Sequence, residues 1–211
     1  MENTNNFWKL ATIFIFGMIV GFLIAKYEFT DTPSAKAQGP ERYFGNPDAK
    51  VVITEYSDFE CPFCKRYFEN TFPAIKEKYQ DNPNIKYEFK HFPLSIHANA
   101  PKAAEAADCA LDQGKFWEMH KILFEKQSEW AGSGDSIQKF KNYATELNLD
   151  QNKFNDCLDS GKYTKAQAND FNEGRIRGVS GTPTVFINNQ KIVGAQSPET
   201  IEKAIENELN Q

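Results

Sequence analysis

A pair of cysteines, Cys61 and Cys64, restricts the fold of this chain more than any other feature, because it joins a strand pattern to a helix pattern. The run before the pair, Val51 to Tyr56, is rich in β-branched and aromatic residues, which is typical of a strand. After the pair, apolar side chains recur at helical intervals, at Tyr67, Phe68, Ile75 and Tyr79. Pro62 suits the first turn of that helix. The sequence therefore predicts that the cysteines lie where a strand ends and a helix begins.

This placement favours redox chemistry at the two cysteines. The unpaired N–H groups and the positive end of the helix stabilise a thiolate at Cys61. Cys64 follows one turn later, close enough to form a short disulfide, and a stabilised thiolate makes such a disulfide a good oxidant. An inert structural disulfide is an alternative. So is half of a zinc site, although the chain offers neither a second Cys-x-x-Cys nor a histidine at a familiar ligand spacing.

The length and composition suit one medium domain, or one domain with an insertion, plus a tail. The chain has 211 residues, of which 40% are hydrophobic and 14% aromatic, and this is enough for a substantial core. A formal net charge of −5 provides no basic surface, so nucleic acid is not an expected partner. Four cysteines, an even number, fit an oxidising compartment if the N-terminus supports export.

The N-terminus does contain a candidate membrane segment. The run from Phe7 to Ala25 is apolar except for two residues, and Lys26 closes it. A helix of this length nearly reaches the thickness of the hydrocarbon core, about 30 Å. A cleaved signal peptide has a shorter apolar region with a cleavage site close behind it, whereas the Ala-x-Ala at residues 35–37 lies well beyond. Residues 1–29 are therefore predicted to be an uncleaved anchor, with a cleaved signal as the alternative.

The rest of the chain divides by pattern. Residues 30–41 are polar, contain proline and glycine and show no periodicity, which is typical of a linker. Strand patterns occur in residues 42–94 and 178–211, and the second of these stretches includes a hairpin that opens at Thr182-Pro183. Residues 95–177 contain helix patterns only. We therefore expect one α/β domain, formed by residues 42–94 and 178–211, with an inserted all-helical subdomain.

The order of these patterns, with Cys-x-x-Cys after the first strand and Thr-Pro opening the hairpin, resembles the thioredoxin fold. The long helical block before Thr182-Pro183 is similar to that of the DsbA family of exported thiol–disulfide oxidoreductases, and the resemblance covers about residues 41–209. An anchor ahead of such a domain is similar to the anchored DsbA-like proteins of bacteria without a conventional periplasm. The expected fold is a thioredoxin fold with an inserted all-helical subdomain, preceded by an N-terminal transmembrane helix.

The resemblance also implies the roles of individual residues. Cys61 would be the exposed nucleophile and Cys64 the buried resolving cysteine. Pro183 would be the cis-proline that faces the pair, with Thr182 before it. The backbone groups of Thr182 would then be free to pair with an extended substrate peptide beside Cys61.

Two residues near the cysteines need separate comment. Glu55, six positions before Cys61, matches the acidic residue that the family keeps beneath the site, where burial would raise its pKa and let it relay the proton of Cys64. Asp58 is an equal candidate, and a solvated strand glutamate is the third interpretation. Phe63 stands where strongly oxidising members have histidine, which predicts a less extreme redox potential.

The two other cysteines, Cys109 and Cys157, lie on separate predicted helices of the subdomain. In an exported protein they most simply form a structural disulfide. Two buried free thiols are the alternative. No functional role is assigned to the three histidines, His91, His97 and His120.

The expected function is that of a membrane-anchored thiol–disulfide oxidoreductase that donates its Cys61–Cys64 disulfide to reduced or unfolded exported proteins. No cofactor is expected, and the resemblance implies reoxidation by a quinone-coupled membrane partner. The domain would lie on the extracytoplasmic side of the cell membrane on a single-pass anchor. This orientation follows from the disulfide chemistry, because Lys9 and Lys26 offset each other in the positive-inside count. The alternatives are an isomerase or reductase on the same fold, and a non-enzymatic chaperone.

Overall fold

The computed structural model describes residues 42–211. The predicted anchor, residues 1–29, and the predicted linker, residues 30–41, lie outside the described residues. Between residues 42 and 211, no helix is long and apolar enough to cross a membrane.

A sheet with strand order β1-β3-β2-β4-β5 forms the centre of the described chain. Its strands are β1 (Tyr43–Gly45), β2 (Val51–Ser57), β3 (Ile85–His91), β4 (Thr184–Ile187) and β5 (Gln190–Val193). β2 and β3 are parallel, with Val51 beside Ile85 and Ser57 beside His91. The other neighbouring strands are antiparallel. Nearly every residue of β2 is buried, as expected for a strand with both faces covered.

Three helices belong to the α/β part of the chain: α1 (Pro62–Asn70), α2 (Phe72–Tyr79) and, at the C-terminal end, α9 (Pro198–Leu209). α1 and α2 are separated at Thr71, and Pro73 lies in the first turn of α2, where its missing N–H does no harm. Between β3 and β4 the chain forms α3–α8, which we call the helical block: Ala100–Leu111, Phe116–Glu125, Gln127–Trp130, Ser136–Glu146, Gln151–Ser160 and Thr164–Ile176. The expected α/β architecture with inserted helices is therefore present.

Aromatic side chains join the helical block to the sheet around one buried histidine, His120 of α4. Seven aromatic rings have centroids between 5.0 and 6.0 Å from its imidazole: Phe59, Phe68, Phe72, Phe89, Phe116, Trp117 and Phe124. Burial, with a smaller contribution from the nearby Lys76 charge, lowers the pKa of His120 to about 3. The imidazole is therefore neutral at pH 7 and packs as one more ring of the core.

A buried ionic cluster ties the edge of the sheet to the helical block. Arg42, just before β1, lies 2.7 Å from the Asp170 carboxylate of α8 and 3.5 Å from the Asp108 carboxylate of α3. The His91 imidazole, at the end of β3, is 3.1 Å from Asp108, and its main-chain N–H donates to Asp170. Buried charges require partners of this kind, so His91 takes part in a structural network.

Cys109 of α3 and Cys157 of α7 form the expected disulfide, with their Cα atoms 5.8 Å apart. Both residues are buried. The bond links two helices that are 48 residues apart in the chain, so it limits the freedom of the helical block in the unfolded state.

Replacing both Cys109 and Cys157 with alanine is expected to lower the free energy of unfolding by up to about 4 kcal/mol, the chain-entropy value for a loop of 48 residues. Urea unfolding under oxidising conditions measures the loss. With dithiothreitol present, the wild type should unfold at the same urea concentration as the variant. Equal stability of the two proteins without reductant would contradict the prediction.

Candidate active site

The two active-site cysteines lie at the start of α1, as the sequence predicts. Cys61 is the N-cap residue, Pro62 occupies the first helical turn, and the Cys61 carbonyl accepts the N–H of Lys65. Cys64 lies one turn into the helix and is completely buried. Both are free thiols in this structure. The two cysteines therefore follow the C-terminal end of β2, the central strand of the sheet, where α1 begins.

The Thr182–Pro183 segment lies against this pair. The Thr182–Pro183 peptide bond is cis, as the resemblance implied. The Cys61 thiol donates to the Thr182 carbonyl at 3.5 Å, so the segment covers the Cys61 sulfur. Cys61 is consequently only 4% exposed, which is less than expected for an exposed nucleophile. Any group that reaches the Cys61 sulfur would therefore pass beside this segment.

The pKa values of the two thiols move in opposite directions. The hydrogen bond from the Cys64 thiol lowers the pKa of Cys61 to about 6, helped by the N–H groups of Phe63 and Cys64 and opposed by burial. Burial raises the pKa of Cys64 well above its ordinary value, and the neighbouring Cys61 sulfur raises it further. In the reduced protein at pH 7, Cys61 is therefore the thiolate and Cys64 the thiol.

Glu55 lies on β2, inside the protein. It is only 2% exposed, so the interpretation as a solvated strand residue is wrong. The Tyr87 hydroxyl donates a hydrogen bond to its carboxylate. Burial raises the pKa of Glu55 to about 7, against the opposing effect of the Tyr87 hydrogen bond and of the nearby Ser57 hydroxyl. This carboxyl can accordingly both hold and release a proton near neutral pH.

Asp58, the other candidate carboxyl, holds the loop in front of the cysteines. Its side chain accepts the N–H groups of Glu60 at 2.7 Å and Leu94 at 2.8 Å, and Nδ1 of His97 lies 2.7 Å away. Its own N–H donates to the Cys64 sulfur at 3.4 Å. Burial raises the pKa of Asp58 above its ordinary range. The sequence analysis gave His97 no role, and the structure places it beside this carboxylate.

Hydrogen bonds also connect this loop to the part of the chain that contains the helical block. They involve two side chains that the sequence analysis missed, Glu60 and Gln127. The Glu60 carboxylate accepts the N–H of Asn99 and the N–H of Gly132, both at 2.7 Å. The Gln127 amide donates to the carbonyls of Phe59 and Cys61, at 2.7 and 3.1 Å. The position of Glu60 directly before Cys61 was the only available signal, and nothing in the sequence pointed to Gln127.

Exposed apolar side chains lie in the segments that form the site. Phe63, between the two cysteines, is 52% exposed, and Ile96 is 82% exposed. Ile96 lies in the loop that Leu94 and His97 attach to Asp58. Both side chains are therefore open to contact with another molecule.

Several curated relatives are much longer than this chain. Na(+)/H(+) antiporter NhaA 1 of Salinispora arenicola is 37% identical over 162 residues, which are 76% of this chain and 24% of the antiporter. The chain thus spans about a quarter of the length of that relative. The antiporter's name describes a protein most of which has no counterpart here, so it assigns no transport activity to this chain.

Other comparisons cover most of this chain and most of the protein with which it is compared. A family model described as thioredoxin matches residues 37–207. Disulfide bond formation protein D of Bacillus subtilis is 28% identical over 190 residues, 84% of this chain and 79% of that protein. Wolbachia pipientis alpha-DsbA1 is 28% identical with a TM-score of 0.70, over 79% of this chain and 89% of the other. The chain belongs to the thioredoxin family.

Proposed function

We propose that this protein is a DsbA-like thiol–disulfide oxidoreductase and that it works as an oxidase, donating a disulfide between Cys61 and Cys64 to exported proteins. The observation that supports this direction best is the low pKa of Cys61, about 6, beside the high pKa of Cys64. A stabilised Cys61 thiolate stabilises the reduced protein. Because reduction of the Cys61–Cys64 disulfide produces this thiolate, the disulfide is a good oxidant. The name of the Bacillus subtilis relative, disulfide bond formation protein D, agrees with this direction.

The reaction requires two thiol–disulfide exchanges. A substrate thiolate attacks the Cys61 sulfur of the oxidised enzyme, the Cys61–Cys64 bond breaks, and Cys64 leaves as a thiolate that takes up a proton. The N–H of Asp58, which points at the Cys64 sulfur, stabilises that leaving group. A second substrate thiolate then attacks the substrate sulfur of the mixed disulfide, and Cys61 leaves as a thiolate. Two electrons have passed from the substrate to the enzyme.

Reduced or unfolded exported proteins are the proposed substrates. Their apolar segments would contact Phe63 and Ile96, and an extended backbone would pair beside the Thr182–Pro183 segment. The interaction needs no fixed sequence in the substrate, because apolar contact and main-chain hydrogen bonds tolerate many side chains.

The proposed location is the extracytoplasmic side of the cell membrane, with residues 1–29 as a single-pass anchor. The disulfide between Cys109 and Cys157 supports an oxidising compartment, since such bonds rarely persist in the cytosol. A quinone-coupled membrane partner would take the two electrons from the reduced enzyme and regenerate the disulfide.

Equilibration with glutathione tests the proposed direction. We expect a reduction potential between about −180 and −120 mV, and a value near that of thioredoxin, about −270 mV, would contradict an oxidase. Because Cys61 ionises near pH 6, the potential should fall by about 60 mV per pH unit below pH 6 and by about 30 mV above it. Trapping of the thiols in living cells separates the alternatives, because the pair is oxidised in an oxidase and reduced in an isomerase.

A further inference from the structure

Ser57, the last residue of β2, carries a hydroxyl that the fold leaves without a partner. The residue is 1% exposed, and its Oγ forms no hydrogen bond with any of the described residues. A buried hydroxyl without a partner costs about 1–3 kcal/mol of stability. Such a group in a native structure calls for an explanation other than stability.

The position of Ser57 provides one. Side chains two residues apart in a strand point to the same face, so Ser57 shares a face of β2 with Glu55 and Ile53. That face packs against α1, because Ile53 and Tyr67 belong to one core cluster. The residue after Ser57 places its N–H 3.4 Å from the Cys64 sulfur. Ser57 thus shares a face of β2 with Glu55 and directly precedes the N–H that contacts the Cys64 sulfur, and its hydroxyl lowers the pKa of both the Glu55 carboxyl and the Cys64 thiol.

We infer that the Ser57 hydroxyl relays a proton from the Glu55 carboxyl to the Cys64 sulfur when the enzyme disulfide opens, a step that rests on the proposed function. As the sulfur–sulfur bond breaks, Cys64 leaves with the electron pair. The Ser57 hydroxyl gives its proton to that sulfur and takes the proton of the Glu55 carboxyl. The products are a Cys64 thiol and a Glu55 carboxylate, and reoxidation of the enzyme reverses the transfer.

One residue beyond Ser57 lies a second buried carboxyl, Asp58, whose pKa burial also raises, but its hydrogen bonds hold it in the loop before the cysteines. The titratable groups that face Glu55 are Tyr87 of β3 and Tyr67 of α1, and burial raises the pKa of each phenol. β4 presents the apolar Val185 opposite Glu55. Protonation of the Glu55 carboxyl is therefore what sets the pH dependence of the relay.

The test uses the full-length oxidised protein and reduced glutathione, with rates divided by the concentration of glutathione thiolate from pH 5 to 9. In the wild type this rate is expected to fall as Glu55 loses its proton near pH 7. Ser57→Ala should remove the inflection and slow the reaction at pH 6 by roughly 100-fold to 10,000-fold, the loss expected for a general acid. Its thermal unfolding midpoint should equal or exceed that of the wild type, because an unpaired buried hydroxyl is gone.

Three further variants separate the relay from a structural role. Tyr67→Phe removes another buried hydroxyl without a partner, one that faces Tyr87, and should keep the inflection. Ser57→Thr retains a hydroxyl and should also keep it, which provides a test even where Ser57→Ala is poorly folded. The double variant of Ser57→Ala and Glu55→Gln should be no slower than Glu55→Gln alone, because the two residues act in one step.

An inflection near pH 7 that persists in Ser57→Ala would overturn the relay, as would its loss in a well-folded Ser57→Thr. The relay would also be overturned if the double variant were slowed by the product of the two single-variant factors. The proposed function is judged separately, by whether the wild type oxidises a reduced protein substrate. A wild type that cannot do so refutes the oxidase, whatever the variants show with glutathione.

Discussion

Replacing Cys61 with serine is expected to abolish disulfide donation. The remaining active-site sulfur, that of Cys64, is completely buried, and its pKa lies well above the ordinary value. Without the Cys61 sulfur the protein cannot form the Cys61–Cys64 disulfide that the reaction consumes, and the thiol that remains is mostly protonated at pH 7, unlike Cys61. The initial rate of oxidation of a reduced, unfolded protein measures the loss.

Cys64→Ser is the matched control, because it removes the other sulfur of the pair. Cys61 remains reactive in this variant, and the disulfide that it forms with a substrate cannot be released by attack of Cys64. With a protein that already contains a disulfide, the Cys61 thiolate displaces one sulfur of that bond, and we expect a long-lived mixed disulfide, visible as a mass shift that reductant reverses. Iodoacetamide should modify reduced Cys64→Ser quickly and Cys61→Ser slowly. Similar alkylation of both variants would show that the two sulfurs do not differ in the proposed way.

The second large effect concerns stability. Arg42→Met is expected to lower the free energy of unfolding by about 3–5 kcal/mol, because it removes the arginine from the buried Asp108 carboxylate and leaves Asp170 only Lys90, 3.8 Å away. The apolar side chain preserves most of the volume, so the lost charge dominates the change. Urea unfolding of the full-length protein measures it, and the disulfide between Cys109 and Cys157 must be intact in both samples.

Lys78→Met serves as the comparison for this prediction, since it removes a cation of similar size from the surface. Lys78 pairs with Glu202 at 2.8 Å and Glu206 at 3.2 Å, but these groups are in contact with solvent. Solvent-exposed ion pairs contribute little to the free energy of unfolding. We therefore expect the Lys78→Met variant to unfold at nearly the same urea concentration as the wild type. If the two variants were equally stable, the cluster around Arg42 would not hold β1 to the helical block in the way described.

Much of the fold was predictable because its signals are local. The β-branched run of β2, the alternation in β3 and the helical spacing after Cys64 each follow from the periodicity of one short segment. The same is true of the junction that holds the two cysteines. α5 lies inside the stretch predicted to be helical, but its four residues, Gln127–Trp130, are too few to show a helical period of their own.

The parts of the site that were missed depend on distant contacts. Glu60 binds main-chain groups 39 and 72 residues away, and His97 lies 39 residues from its partner Asp58. No local pattern marks such pairs, because each depends on how the helical block folds back over the cysteine loop. The burial of Glu55 was likewise not encoded in its neighbours, since an acidic residue in a strand is usually exposed.

The hydrogen bonds that Glu60 and Gln127 form across the cysteine loop limit what protein engineering can do with this scaffold. A minimal catalyst without the helical block would lose the donors of Asn99, Gly132 and Gln127, and the loop would need new partners at each position. Transferring only the Cys-Pro-Phe-Cys segment to another protein would move the two sulfurs without the hydrogen bonds that hold their loop. The smallest unit to transfer is therefore the loop that contains Phe59, Glu60 and Cys61, together with the segments of the helical block that form hydrogen bonds with it.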